Sequence, residues 1–187
     1  MIDLLFAFVL LFMAAAIVVL FAMLGELASR IPQPARLHSG PSIKPVEGAR
    51  IGHVASWWPT QLAYLKEARD GVLLVLSSAC ASCEEIGVQF RKSEDPRISG
   101  FGILMSCGNI ESGHDFIARH GLSKASSYID KGGEWVRGEF NVMMSPVALF
   151  FREGRLQTAL VFDDLDALHK LTDDGQSLYP IPTVANV

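Results

Sequence analysis

Two cysteines separated by two small residues, Cys80-Ala81-Ser82-Cys83, sit between a wholly apolar stretch, Val72-Leu73-Leu74-Val75-Leu76, and a segment running from Glu84 to Lys92. Five consecutive apolar residues bounded by Gly71 and Ser77-Ser78 are the pattern of a short central strand covered on both faces. The following segment has acidic residues in its first turn and basic ones in its last, as a helix dipole prefers, so it reads as a helix. The dithiol therefore falls at a strand-to-helix junction. There the free N–H groups of the first turn favour an anion, and a cysteine thiolate is such an anion, with a pKa that falls below the free value of about 8.5. On this spacing Cys80 attacks a disulfide and Cys83, one turn further on, resolves the mixed disulfide. The competing use of C-x-x-C is half of a zinc site, which needs a second pair of Cys or His. Cys107 and five scattered histidines supply no regular second half, so the pattern reads as redox, with no metal and no cofactor beyond the cysteine pair.

The rest of the chain limits the context. Its 187 residues leave room for one medium domain plus attachments. A formal net charge of −4 with no basic stripe argues against a nucleic-acid partner. At the N-terminus Leu4 to Leu24 is an unbroken apolar run of 21 residues. At helical rise it spans roughly 31 Å, the thickness of a bilayer core, and predicts one transmembrane anchor over residues 1–24. A cleaved signal would want a basic start and a small-x-small cleavage site, which the chain lacks. Arg30, Arg36, Lys44 and Arg50 follow the span, and by the positive-inside rule alone they would hold the C-terminal part in the cytoplasm.

Residues 25–50, with Pro32, Pro34, Gly40, Pro41 and Pro45, read as a juxtamembrane linker; 51–175 read as the folded domain and 176–187 as an irregular tail. Within the domain, a short helix over Gln61–Ala68 has Thr60 available as its cap. Further strands are expected at Gly102–Met105, near Ser127–Ile129, and over Val147–Phe151 and Leu156–Phe162. The last two are joined by a turn in which Gly154 takes positive φ. Helices are expected over Ser112–His120, stopped by Gly121, over Glu134–Phe140, and over Leu165–Leu171. This order predicts an α/β fold, a central mixed sheet with helices on both faces.

The stretch Leu73–Cys83, LLVLSSACASC, resembles the active-site strand and turn of the thioredoxin superfamily. Tyr128–Val142 and then Met143-Met144-Ser145-Pro146 are similar to that fold's approach to its cis-proline loop. The resemblance implies a thioredoxin-like domain with Pro146 opposite the dithiol in a cis bond, and a substrate groove formed by Ser145, Ala81 and Ser82. Just after the apolar run, Gly25–Ala35 is similar to a segment of the methylamine-utilisation thiol–disulfide proteins, the MauD family. That similarity implies a membrane-anchored envelope protein, its domain on the periplasmic side, acting in maturation of a cysteine-containing client such as the small subunit of methylamine dehydrogenase. It also implies a membrane electron-transfer partner with thiols of its own.

Several residues depart from the pattern. Leu74 stands where thioredoxin has a buried aspartate, which leaves Glu84 and Glu85 as candidate proton-transfer groups for Cys83, or as plain complements of the helix dipole. Trp57-Trp58 read either as core and juxtamembrane packing or as a partner surface. Cys107 reads as a small core residue or as a third thiol near the dithiol. His114 and His120 are read as a solvated helix face, and the acidic cluster Asp163, Asp164, Asp166, Asp173 and Asp174 as caps and surface. Set against the oxidoreductase are a non-catalytic thioredoxin-like assembly module and a copper-delivery protein.

Overall fold

The computed structural model describes residues 10–15, 17, 43–93 and 100–173. The apolar run Leu4–Leu24 and the expected tail fall largely or wholly outside them; residues 10–15 and 17 are helical. Among the described residues no helix is long and apolar enough to cross a membrane.

Six strands form one mixed sheet: β1 (Lys44–Pro45), β2 (Gly71–Ser77), β3 (Gly102–Cys107), β4 (Ser126–Lys131), β5 (Val147–Arg152) and β6 (Arg155–Val161), in the order β1-β6-β5-β2-β3-β4. β2 runs parallel to β3, which runs parallel to β4; β5 is antiparallel to β2 and β6 to β5. The parallel connections are made by α1 (Ala81–Lys92) and α2 (Ile110–His120). A short helix α3 (Glu134–Phe140) precedes β5, and α4 (Leu165–Asp173) closes the domain.

The alternation of side chains along each strand divides the core in two. Leu74 and Leu76 of β2, Ile103 and Met105 of β3, and Ala148 and Phe150 of β5 face Ile86, Phe90, Phe116, Leu165 and Leu168 of α1, α2 and α4. Leu73 and Val75, Leu104, and Val147, Leu149 and Phe151 point the other way, onto Leu62, Leu65, Trp135 and Phe140. β2 is buried on both faces because it has neighbours in the sheet on both sides and helices above and below. Truncating one such leucine to alanine costs about 2–5 kcal/mol.

The expected α/β class and central mixed sheet with flanking helices hold. Four local readings need correction. Lys44–Pro45, assigned to the linker from its prolines, is the edge strand β1, paired with Val161 and Leu160 of β6; an edge position lets a proline stand without a ladder donor. The segment at Thr60–Lys66 is a 3₁₀ helix whose cap position is Pro59, and Thr60 makes no capping bond. α1 begins at Ala81 rather than Glu84, so Cys80 is its cap residue. His120, expected on a solvated face, is buried with Phe116 and Ile117, and its Nε2 lies 2.7 Å from a Glu84 carboxylate oxygen. The space for its ring is left by Gly87, where an added Cβ would come within 2.5 Å of the imidazole. The β5–β6 turn has Glu153 and Gly154 both at positive φ, as a two-residue hairpin of the right twist requires.

A polar crosslink fixes the lead-in loop to α3. The Glu139 carboxylate, almost buried, accepts hydrogen bonds from the Ser56 N–H at 2.8 Å and the Ser56 hydroxyl, and lies 3.3 Å from His53 Nε2. Burial alone would raise this carboxyl's pKa, but the two Ser56 bonds and His53 outweigh it and hold it below the usual range. A depressed folded value means that the stabilisation is present above the unfolded value of about 4.3 and is lost as pH falls through the folded value. Glu139→Ala is expected to cost about 2 kcal/mol at neutral pH, read from the urea midpoint, and to flatten the acid limb of the stability curve. An unchanged acid limb contradicts this assignment.

Candidate active site

The site lies where the buried strand β2 ends. Leu73 and Val75 face the α3 side of the sheet, and the next residue on that face is Ser77. On β3, Leu104 is followed by Ser106, and on β4, Tyr128 by Asp130. Ser77 pairs with Ser106 and Ser106 with Asp130 in the sheet register, so the last row of this apolar face is polar. Asp130 is buried and accepts the backbone N–H groups of Trp135 (3.1 Å) and Val136 (3.0 Å). It thereby anchors α3, whose cap residue Gly133 has no side chain to do so. Gly133 is held at positive φ, and a Cβ there would meet the Ser106 hydroxyl at 2.9 Å.

The chain turns from Ser77 into Cys80, which caps α1. The Cys83 N–H donates to Cys80 Sγ at 3.4 Å. Ser145–Pro146 is a cis peptide, and the Ser145 carbonyl oxygen lies 3.5 Å from Cys80 Sγ. Cys83 is fully buried under α1, and the Ser77 N–H donates to its sulfur at 3.3 Å. Ala81 and Ser82 are exposed in the first turn. The structure thus brings Cys83, Ser82 and Ser145 to the Cys80 sulfur, with Ala81 and Pro146 next to them in the chain.

The two thiols are polarised in opposite senses. Burial opposes the Cys80 thiolate, but hydrogen bonds from Cys83, the Ser145 side chain and the Ser82 backbone outweigh it and bring the thiol below its ordinary value. Cys83 is pushed up to about 12, first by burial and then by the adjacent Cys80, against the smaller help of Ser77 and Ser145. Cys107 is also raised, by burial foremost. It is 4% exposed and lies against Gly113 of α2, where a Cβ would come within 3.0 Å of its sulfur, which is the environment of a small core residue.

The two candidate proton-transfer carboxylates are placed differently. Glu84 lies 3.2 Å from Arg119 and 2.7 Å from His120, which commits it to the α1–α2 contact rather than to the thiols. Glu85 is on the exposed side of α1. Leu74 is buried in the core. Trp58 packs among Trp135, Phe140 and Phe151, while Trp57 is half exposed and gives its carbonyl to the Trp135 indole. Asp164 caps α4 through the Ala167 N–H. Among the described residues no group of three or more His, Cys, Asp or Glu is placed to hold a metal ion.

Residues that the sequence reading did not single out include Ser77, whose backbone reaches Cys83, and Arg137. Arg137 lines a cavity of about 200 Å³ together with Ser77, Ser106, Met143, Met144 and Ser145. A mid-helix glycine at 87 was the one sequence signal for the buried His120, since such a glycine usually has a packing reason.

No protein-family model matches the chain, and no curated protein matches it. Among solved structures it is similar to a secreted Mycobacterium tuberculosis disulfide oxidoreductase homologous to E. coli DsbE, at 18% identity over 58% of this chain and 82% of that one, with a TM-score of 0.43. It is also similar to the thioredoxin domain of a thiol-disulfide oxidoreductase from Bacteroides vulgatus (14% identity, 59% and 83%, TM-score 0.44). A third is a thioredoxin-like protein from Aeropyrum pernix (16% identity, 57% and 78%, TM-score 0.43). The thioredoxin-like arrangement of this chain rests on its own strand order, its strand–C-x-x-C–helix junction and the Ser145–Pro146 loop facing the first cysteine.

Brief alkylation of the reduced full chain with iodoacetamide at about pH 7 is expected to label Cys80 well ahead of Cys83 and Cys107, read by peptide mass spectrometry. The labelling rate of Cys80 should level off below the ordinary thiol range, whereas that of Cys83 should still be rising towards about pH 12. Equal labelling of Cys80 and Cys83 contradicts the ordering.

Proposed function

We propose that the chain is a membrane-tethered thiol–disulfide oxidoreductase of the bacterial envelope that exchanges with cysteines of client proteins during their maturation. The observation that carries the reading is the placement of two adjacent thiols: a partly exposed Cys80 that caps α1 and accepts the Cys83 N–H, and a fully buried Cys83 one turn away. In the reducing direction the Cys80 thiolate attacks a client disulfide, one client sulfur leaves as a thiolate, and Cys83 then attacks Cys80. The client gains two electrons and leaves as a dithiol, and the protein is left with a Cys80–Cys83 disulfide. The oxidising direction is the reverse. Ser145 and Pro146, with Ala81 and Ser82, form the edge against which an extended client segment would lie.

The tether is supported by the apolar run Leu4–Leu24, long enough for one span. An extracytoplasmic domain is supported by the chemistry, since protein disulfides persist there, although the basic residues after the run favour the other side. A membrane thiol protein would exchange electrons with the Cys80–Cys83 pair. The similarity of Gly25–Ala35 to the MauD family makes the small subunit of methylamine dehydrogenase the client to test first.

The test is to equilibrate the full chain, in detergent, against glutathione and dithiothreitol buffers and to follow the thiols by alkylation. One reversible two-electron couple is expected, and its place between about −270 mV and about −120 mV assigns a reducing or an oxidising role. Cys83→Ser should accumulate a mixed disulfide through Cys80, and Cys80→Ser should form none. Absence of a reversible couple overturns the proposal and leaves a non-catalytic assembly module.

A further inference from the structure

The cavity beside the dithiol has a chemistry of its own. Its floor is the polar end of an otherwise apolar sheet face, Ser77 and Ser106, and its rim is Met143, Met144 and Ser145 on the loop that faces Cys80. Met143 and Met144 are 76% and 50% exposed, an unusual position for two consecutive thioethers unless something covers them. The single charged residue lining the cavity is Arg137 on α3. The nearby carboxylate of Asp130 does not line the cavity, and both of its oxygens accept α3 backbone N–H groups. A volume of about 200 Å³ is below the roughly 300–1,000 Å³ of ligand and cofactor pockets and suits a single side chain.

We propose that this cavity is the subsite for an acidic residue close to the client's reacting cysteine, with Arg137 as its counter-charge. The inference rests on the oxidoreductase reading and specifies the clients it takes. Cys80 Sγ lies 3.5 Å from the Ser145 carbonyl oxygen, and Ser145 itself lines the cavity, so the two are adjacent. In an extended segment, residues two positions apart share a face and lie roughly 6.6 Å apart. In the proposed mode, a client cysteine directed at Cys80 places the side chain two positions away in the cavity, with its carboxylate towards Arg137 and the serine hydroxyls. The charge complementarity is local: the chain as a whole carries −4, so a general field would disfavour the same client.

The test uses short end-capped peptides bearing one cysteine as its mixed disulfide with 5-thio-2-nitrobenzoate, identical except for Asp, Asn or Lys two positions from that cysteine. The Cys80 thiolate attacks the peptide sulfur and 5-thio-2-nitrobenzoate leaves as a coloured thiolate; Cys83 then displaces the peptide thiol, so two electrons pass from the dithiol to the mixed disulfide. Rates are measured on the reduced full chain and on Arg137→Gln and Arg137→Glu. Arg137 is exposed, so these variants keep the core intact. The Asp peptide is expected to react about fivefold faster than the Lys peptide, a ratio of the size an ordinary ion pair gives. That ratio should fall in Arg137→Gln and invert in Arg137→Glu; comparing ratios between proteins cancels the peptides' intrinsic reactivities. Equal rates for all peptides, or a preference unchanged in Arg137→Gln, overturn the subsite and leave the oxidoreductase standing. No exchange with any peptide overturns both.

Discussion

Burial of β2 on both faces is the constraint on which the rest of the structure depends. A strand with helices above and below and strands on either side can carry no polar side chain in its middle, and Leu73 to Leu76 carry none. Polar chemistry is therefore confined to its ends, and the carboxyl end is where α1 begins. Ser77 marks the boundary. Its side chain is the first polar group on the α3 face, and its backbone N–H points to Cys83. The dithiol, the Ser145 carbonyl and the Arg137 cavity are all grouped at this one edge because the apolar faces run out there together, in the row Ser77–Ser106–Asp130.

How much of this was legible in the sequence follows from what is local. The continuous apolar run of β2, the helical spacing in α2 with Gly121 in the left-handed conformation after it, and the Glu153-Gly154 hairpin are each decided by a few adjacent residues. The C-x-x-C and the Ser145-Pro146 pair were legible because each is a short motif. What escaped depends on register or on contacts far apart in the chain. β1 is two residues long and one is a proline, so nothing local distinguishes it from linker; its pairing with β6 defines it. His120 joins Glu84 across 36 positions and Glu139 joins Ser56 across 83. Arg137 is an ordinary charged residue on a short helix, and only the packing of α3 against the sheet gives it a cavity to line.

The relation of α3 to the active-site edge is similarly indirect. α3 is seven residues long and has a glycine, Gly133, as its cap residue, so its own capping is poor. Its position is held at both ends by side chains from outside it or on its far turn. Asp130 binds its first N–H groups, and Glu139 ties its last turn to Ser56 and His53. Arg50 adds a bond to the Gly138 carbonyl. A polar group that is buried and fully used in this way costs little and fixes one geometry, whereas the same group without partners would be costly. The α3 side of the cavity, which carries Val136 and Arg137, is therefore held in place by these carboxylates.

Cys80 has two roles that the same geometry serves. Its sulfur is the cap of α1, accepting the Cys83 N–H, so the donors that stabilise it as an attacking thiolate also stabilise it as a leaving thiolate when Cys83 attacks. In the proposed reaction this sets the order of events. While Cys80 is an anion, its charge and its hydrogen bond add to burial in keeping the Cys83 proton in place. Once Cys80 is bonded to a client sulfur it is no longer an anion, and those two contributions vanish. Burial remains, but the Ser77 and Ser145 interactions, which favour the thiolate, now act without opposition from the neighbouring charge. Formation of the mixed disulfide thus removes part of what holds the Cys83 proton in place, while burial, the larger cause, persists.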